Sequence, residues 1–134
     1  MAKDPIKGDG WAVVSLEDLG DGPGFRKVRA ALDVTAFGAN AVILPPGYTT
    51  PRHAHERQEE LYLVLDGEIA FEFGDGRSQT LGRGGMARVS PETIRQMRNA
   101  SESENATYFC VGGAGGYMGR DGVRPDDEPA SAGR

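Results

Sequence analysis

Residues 47–67 read GYTTPRHAHERQEELYLVLDG, with His53 and His55 two residues apart and Glu60 five residues beyond the second histidine. The chain contains only these two histidines. Side chains of equal parity on a strand point to one face, so His53 and His55 share a face. Residues 56–59, ERQE, are polar and suit a turn that brings Glu60 back on the adjoining strand. Two imidazoles and one carboxylate gathered this way form a ligand set for a divalent transition metal.

Working outward, residues 61–65 form an unbroken apolar run, which predicts a strand buried on both faces. Asp66-Gly67 is a turn, residues 69–73 a strand, and Gly74-Asp75-Gly76 a hairpin turn leading to a returning strand at 78–81. A turn at 82–85, a strand at 86–89 and a further turn at Ser90-Pro91-Glu92 come next. Residues 94–98 and 107–111 read as the last two strands, separated by a polar loop. Upstream, residues 11–14 and 25–28 are short strands, and residues 34–44 make one bent strand or two segments around Gly38. The capping pattern at residues 15–18 supports at most about one helical turn before the glycines at 20–24.

About ten short strands, with no amphipathic helix and no internal repeat, predict an all-β sandwich or barrel. One domain is expected over residues 1–111, opening with a loose polar arm at 1–10. Residues 112–134, rich in Gly, Pro, Asp and Ala, read as an extended or disordered tail. The acidic run Asp126-Asp127-Glu128 is expected to be solvated within it.

Composition narrows the function classes. The chain has 134 residues, 20 Gly and 8 Pro, enough length for a core without disulfides and many turns between strands. Its net charge is −5 and no run of Lys or Arg builds a basic face, which argues against nucleic acid as a partner. The single Cys110 cannot close an intramolecular disulfide. There is neither a signal-like apolar stretch near the start nor a run of about 20 apolar residues, so no membrane partner and a cytoplasmic location are expected.

The stretch at 47–67 resembles the first motif of the cupin superfamily: Gly, five residues, His-x-His, three or four residues, Glu, six residues, Gly. Gly47, His53, His55, Glu60 and Gly67 fill it at every position. The resemblance covers about residues 35–112 and implies a double-stranded β-helix, a jelly-roll barrel, with a metal inside its mouth. It implies His53, His55 and Glu60 as ligands of one divalent ion, Fe, Mn, Ni or Zn. A small-molecule ligand in the barrel and a homodimer, covering edge strands, are further expectations.

The second motif of that superfamily ends Pro-x-Gly, two residues, His, three residues, Asn. Counted from Gly84, Ser90 takes the Pro position, Glu92 the Gly position, Arg95 the histidine and Asn99 the closing Asn. A shifted alignment uses Pro91 and puts Gln96 at the histidine, but loses the Asn. Neither offers a third imidazole as the fourth ligand. Arg is permanently cationic and does not ligate metals. Its charge opposes a cation by about 1–4 kcal/mol at about 4 Å. Two arrangements stay open. Arg95 points past the metal and binds an anionic substrate group, or it forms a buried ion pair with Glu60 and the metal site is lost.

Tyr62 shares parity with Glu60, and Met97 with Arg95, so Tyr62 and Met97 are candidate pocket walls beside Arg95, although each also fits the core. Phe71 and Phe73 are expected core aromatics. Cys110 reads as a buried, inert thiol, because no third histidine is available to activate it. Arg52, Glu56 and Arg57 read as rim charges, and Glu59 as exposed or as a partner to a histidine. Fold does not fix function. One reading is a metal-dependent oxygenase, isomerase or cyclase acting on a small anionic molecule. The other is a non-catalytic binding or sensing protein, with a partner-binding module as a weaker third.

Overall fold

The computed structural model describes residues 2–125. In chain order these form β1 (Ile6–Gly8), β2 (Trp11–Val13), a 3-10 turn (Leu16–Leu19), β3 (Gly24–Arg26), α1 (Val28–Leu32), β4 (Gly38–Leu44) and β5 (Ala54–His55). Then follow β6 (Glu59–Asp66), β7 (Ile69–Phe73), β8 (Ser78–Leu81), β9 (Met86–Val89), β10 (Arg95–Asn99), β11 (Ala106–Gly113) and β12 (Gly122–Val123). The acidic run at 126–128 lies outside the described residues.

The strands stack in two antiparallel layers. One sheet has the order β3-β4-β11-β6-β9, and the other contains β10-β7-β8. A pair made by β12 and β5 joins the second layer through the bridges His53↔Arg95 and Thr49↔Arg98. The β1–β2 hairpin stands apart and leaves Ile6, Trp11 and Val13 exposed. This is the expected double-stranded β-helix. Its core lies between the layers, where Tyr62 meets Phe71 and Tyr108 at ring-centroid distances of 5.6 and 5.5 Å. Such aromatic contacts add modestly to the burial term.

Several expectations are corrected. The run at 61–65 is buried on one face only: Tyr62 and Val64 are buried, whereas Leu61 is 47% exposed and Leu65 36%. The reason is the pleat, which sends alternate residues to opposite faces, and only the inner face of β6 meets the other layer. The strand expected at 25–28 stops at Arg26 and gives way to α1. A five-residue helix is too short for a 3.6-residue period to show in the sequence. It ends at Asp33, left-handed at φ 59°, whose N–H reaches the carbonyls of Ala30 and Arg29.

The loose tail expected from Gly112 does not hold over the described residues. β11 runs through Gly113, Asp121 and Gly122 are buried, and β12 pairs with β5. The glycines that suggested looseness serve close packing. A Cβ on Gly112 would lie 2.8 Å from Gln58 Cδ, and one on Gly113 2.8 Å from the Gly116 carbonyl oxygen.

Loops are fixed by side chains. Asn99 Nδ2 donates to the carbonyls of Leu44, Pro45 and Glu104 at 3.0, 3.1 and 2.8 Å, and its Oδ1 accepts the Ser101 N–H at 2.9 Å. At the β7–β8 turn, the Arg77 N–H and guanidinium hold the Asp75 carboxyl below the usual carboxylate range. Gly67 sits at φ +76°, and a Cβ there would meet Ala106 Cβ at 2.9 Å and the Asn105 carbonyl oxygen at 3.0 Å. Gly67→Ala is expected to destabilise the fold by about 2–4 kcal/mol, from left-handed strain plus overpacking. Urea unfolding checks this, and an unchanged midpoint would contradict it.

Candidate metal centre

His53 lies just before β5, where its N–H donates to the Arg95 carbonyl at 3.0 Å and its carbonyl accepts the Arg95 N–H at 2.9 Å. His55 is in β5 opposite Gly122, and Glu60 is the second residue of β6. The turn between them is shaped by Asp121. Its Oδ2 accepts the N–H groups of Arg57 and Gln58 at 2.9 and 2.6 Å, and its carbonyl accepts the Glu56 N–H at 3.0 Å.

This frame brings the three predicted ligands together. One ligand atom from each of His53, His55 and Glu60 lies within 4.8 Å of the others. Glu60 Oε1 is 3.3 Å from His55 Nε2 and 3.9 Å from His53 Nε2. The two rings are 5.3 Å apart at 81°, so they approach the carboxylate from different sides. All three residues are buried. His55 Nε2 has no hydrogen-bond partner among the described residues, although burial makes such an atom costly. Two imidazole nitrogens and a carboxylate oxygen around an unsatisfied nitrogen fit a divalent transition ion. On its far side His55 Nδ1 faces Asp121 Oδ2 at 3.7 Å. A carboxylate behind a ligating imidazole is a common way to fix its orientation.

Arg95 is fully buried, and the ion pair is the arrangement adopted. Its Nη2 donates to Glu60 Oε1 at 3.0 Å, and its Nη1 donates to the Thr93 and Pro91 carbonyls at 2.6 and 3.2 Å. Its Nε approaches Tyr62 Oη at 3.4 Å. The expectation of Arg95 as the anion-binding group is therefore corrected: its donors are engaged within the protein. The alignment through Arg95 is the right one, because Gln96 instead donates to the Thr50 carbonyl at 2.9 Å. The pair does not consume the histidines, since His55 Nε2 has no hydrogen-bond partner among the described residues.

Tyr62 and Met97, the expected pocket walls, are both fully buried in the core, and neither is among the residues lining the cavity described below. Both lie on the inner face between the layers. Tyr62 holds the carboxylate, donating its O–H to Glu60 Oε1 at 2.5 Å. Cys110 is buried and free of disulfides. Arg52, Glu56 and Arg57 are exposed, and exposed Glu59 pairs with Arg88 at 2.9 Å rather than with a histidine.

A cavity of about 560 Å³ opens beside the triad, between β3, β4 and residues 48–53. Phe25, Val42, Leu44 and Tyr108 supply walls, and His53 is the one triad member that lines it. Three contributors escaped the sequence reading. Gln58 donates through Nε2 to Glu60 Oε2 at 3.1 Å, and its parity with Glu60 was the available signal. Asp121 and the cavity-lining Arg124 lie in the segment whose composition reads as tail.

A fold of two antiparallel layers holding a His-His-Glu set defines a double-stranded β-helix with a candidate metal site. The family model for the cupin domain matches residues 40–112, and the chain belongs to that family. Among solved structures it is similar to a cupin protein from Bacteroides fragilis, at 21% identity and TM-score 0.64 over 92% of each chain. It is also similar to a cupin-superfamily sugar phosphate isomerase from Silicibacter pomeroyi, at 24% identity and TM-score 0.62, covering 81% of this chain and 80% of that one. The cupin domain of Schizosaccharomyces pombe Cnp3 aligns at 16% identity and TM-score 0.55, over 59% of this chain and 56% of that one. At these identities the likeness is one of fold. No curated protein matches the chain. No helix among the described residues is long and apolar enough to cross a membrane.

Proposed function

We propose that this chain is a small metal-dependent enzyme of the oxygenase, isomerase or cyclase type, acting on a small anionic molecule in the barrel. One ion of Fe, Mn, Ni or Zn would be held by His53, His55 and Glu60. The observation that carries this reading is His55 Nε2, buried 3.3 Å from Glu60 Oε1 and without a hydrogen-bond partner among the described residues. A bound ion of this kind supplies Lewis acidity or oxygen activation.

The protein's own residues prepare the place. Asp121 sits behind His55 and ties down the turn before Glu60. Tyr62 and Gln58 hold the two carboxylate oxygens of Glu60, and Arg95 balances its charge. Largely apolar side chains line the space beside His53. The sugar phosphate isomerase among the similar folds is a cupin given a metabolic reaction in its name, which is compatible with this class of chemistry.

The test is metal analysis of protein made without a histidine tag and equilibrated with each of the four metals. Loading above about 0.5 ion per chain supports the reading, and less than about 0.1 for every metal refutes it. The Arg95–Glu60 pair favours a second reading, a non-catalytic binding or sensing cupin in which the pair replaces the metal. That reading expects ligand binding to survive in His53→Ala protein.

A further inference from the structure

We propose that Gln58 is a ligand-contacting residue of the His53, His55 and Glu60 centre, and that the centre takes a small hydroxy acid whose hydroxyl donates to the Gln58 side-chain oxygen. This rests on the reading of the centre as a metal-dependent site, and it names the class of molecule held there.

Gln58 is held on three sides. It is buried, and its backbone N–H donates to Asp121 Oδ2 at 2.6 Å. Gly112 pairs with Glu60 across β11 and β6, and a Cβ on Gly112 would lie 2.8 Å from Gln58 Cδ. The bare backbone of Gly112 thus leaves space for the amide beside the carboxylate. Nε2 then donates to Glu60 Oε2 at 3.1 Å. Chemistry decides which end of the amide faces Glu60. The carboxylate, 3.0 Å from the Arg95 guanidinium, is ionised and only accepts hydrogen bonds. The amide NH2 must point to it, which leaves the oxygen on the other branch of Cδ. Covalent geometry keeps Oε1 within about 5–6 Å of Glu60 Oε2. Oε1 is buried and has no hydrogen-bond partner among the described residues. Holding Glu60 therefore uses only the donor half of the amide. A buried acceptor without a donor is costly, and an O–H of a bound molecule satisfies it.

Charge specifies the other half of the ligand. The buried charged side chains that face the triad are Arg95, against Glu60, and Asp121, behind His55. Arg95 cancels Glu60, and Asp121 adds one negative charge. A divalent ion on two neutral imidazoles would leave one positive charge in excess, which a monoanion neutralises. A molecule with one carboxylate for the ion and one hydroxyl for Gln58 meets both demands. A simple fatty acid or an ether acid supplies the charge but leaves Oε1 without a donor.

Calorimetric titration of the full chain tests the proposal, with protein loaded with the best-bound of the four metals and with chelator-treated protein. Glycolate, lactate and mandelate are compared with methoxyacetate, 2-methoxypropionate and methoxyphenylacetate, methyl ethers that keep the carboxylate and lose the donor. At least one hydroxy acid is expected to bind wild-type protein about 10-fold or more tightly than its ether. In Gln58→Met that ratio should fall by at least about 5-fold. A Gln58 that served only to hold Glu60 would weaken acid and ether by the same factor and leave the ratio as it was. Gln79→Met, on the exposed face of β8, should leave both affinities unchanged. Gln58→Leu replaces Gln58→Met if the latter does not fold, and the wild-type ratio needs no variant. Equal affinity for hydroxy acid and ether in wild type, an unchanged ratio in the Gln58 variants, or no binding by any hydroxy acid would each overturn the proposal. Metal loading without the Gln58-dependent ratio would refute this inference alone. The ratio in protein that loads no metal would refute the enzyme reading alone.

Discussion

Arg95→Met is expected to lower the unfolding free energy by about 3–5 kcal/mol, because it leaves the buried Glu60 carboxylate without its cation. Both partners are essentially inaccessible to water, and their 3.0 Å contact sets a permanent cation against the Glu60 carboxylate. The guanidinium also serves the carbonyls of Thr93 and Pro91, which lose their partner at the same time. In a chain of 134 residues the melting temperature should fall by about 10–15 °C. Combining Arg95→Met with Glu60→Gln removes both charges and should recover part of the loss. Thermal and urea unfolding of the two variants decide the matter, and a single-variant loss under about 1 kcal/mol would contradict it. In the fraction that remains folded, metal should bind more tightly than in wild type, since a repelling charge is gone.

His55→Ala should show the opposite pattern, with metal affinity reduced by more than about 100-fold and the fold largely kept. His55 contributes Nε2 to the triad and shows Nδ1 to Asp121. Removing the ring takes away a ligand without stranding Arg95 or Glu60, which retain each other. The expected stability cost is about 1–3 kcal/mol, that of truncating one buried side chain. Equilibrium dialysis against Zn or Mn, followed by metal analysis, measures the first quantity, and thermal unfolding the second. Wild-type loading in His55→Ala protein would mean that His53, His55 and Glu60 are not the ligand set.

The two expectations separate the roles of neighbouring residues. Arg95 is expected to act as a structural counter-charge whose loss is felt as stability, and His55 as a proposed ligand whose loss is felt as binding. Glu60 takes part in both, since Oε1 accepts from Tyr62 and Arg95 while facing both histidines. An ion at this centre would share that oxygen with two hydrogen-bond donors.

Much of the architecture was legible in the chain. The alternating strands, the turn glycines and the spacing of His53, His55 and Glu60 are local features, and parity alone puts both histidines on one face. Tertiary structure decided what local patterns cannot carry. Whether Arg95 turned to a ligand or to Glu60 depended on the distance between β10 and β6, strands separated in the chain by β7, β8 and β9. Leu61 and Leu65 read as core, yet face outward because only one side of β6 meets a second layer. Asp121 sits in a segment of glycine and charge that has no periodicity, and it meets the turn at residues 56–58 only because the chain folds back and β12 pairs with β5. The sequence by itself determined the barrel and the three candidate ligands, because spacing and parity are properties of a single strand. The fate of the arginine and the place of Asp121 were settled by contacts between residues distant in sequence, where burial makes every unpaired charge expensive.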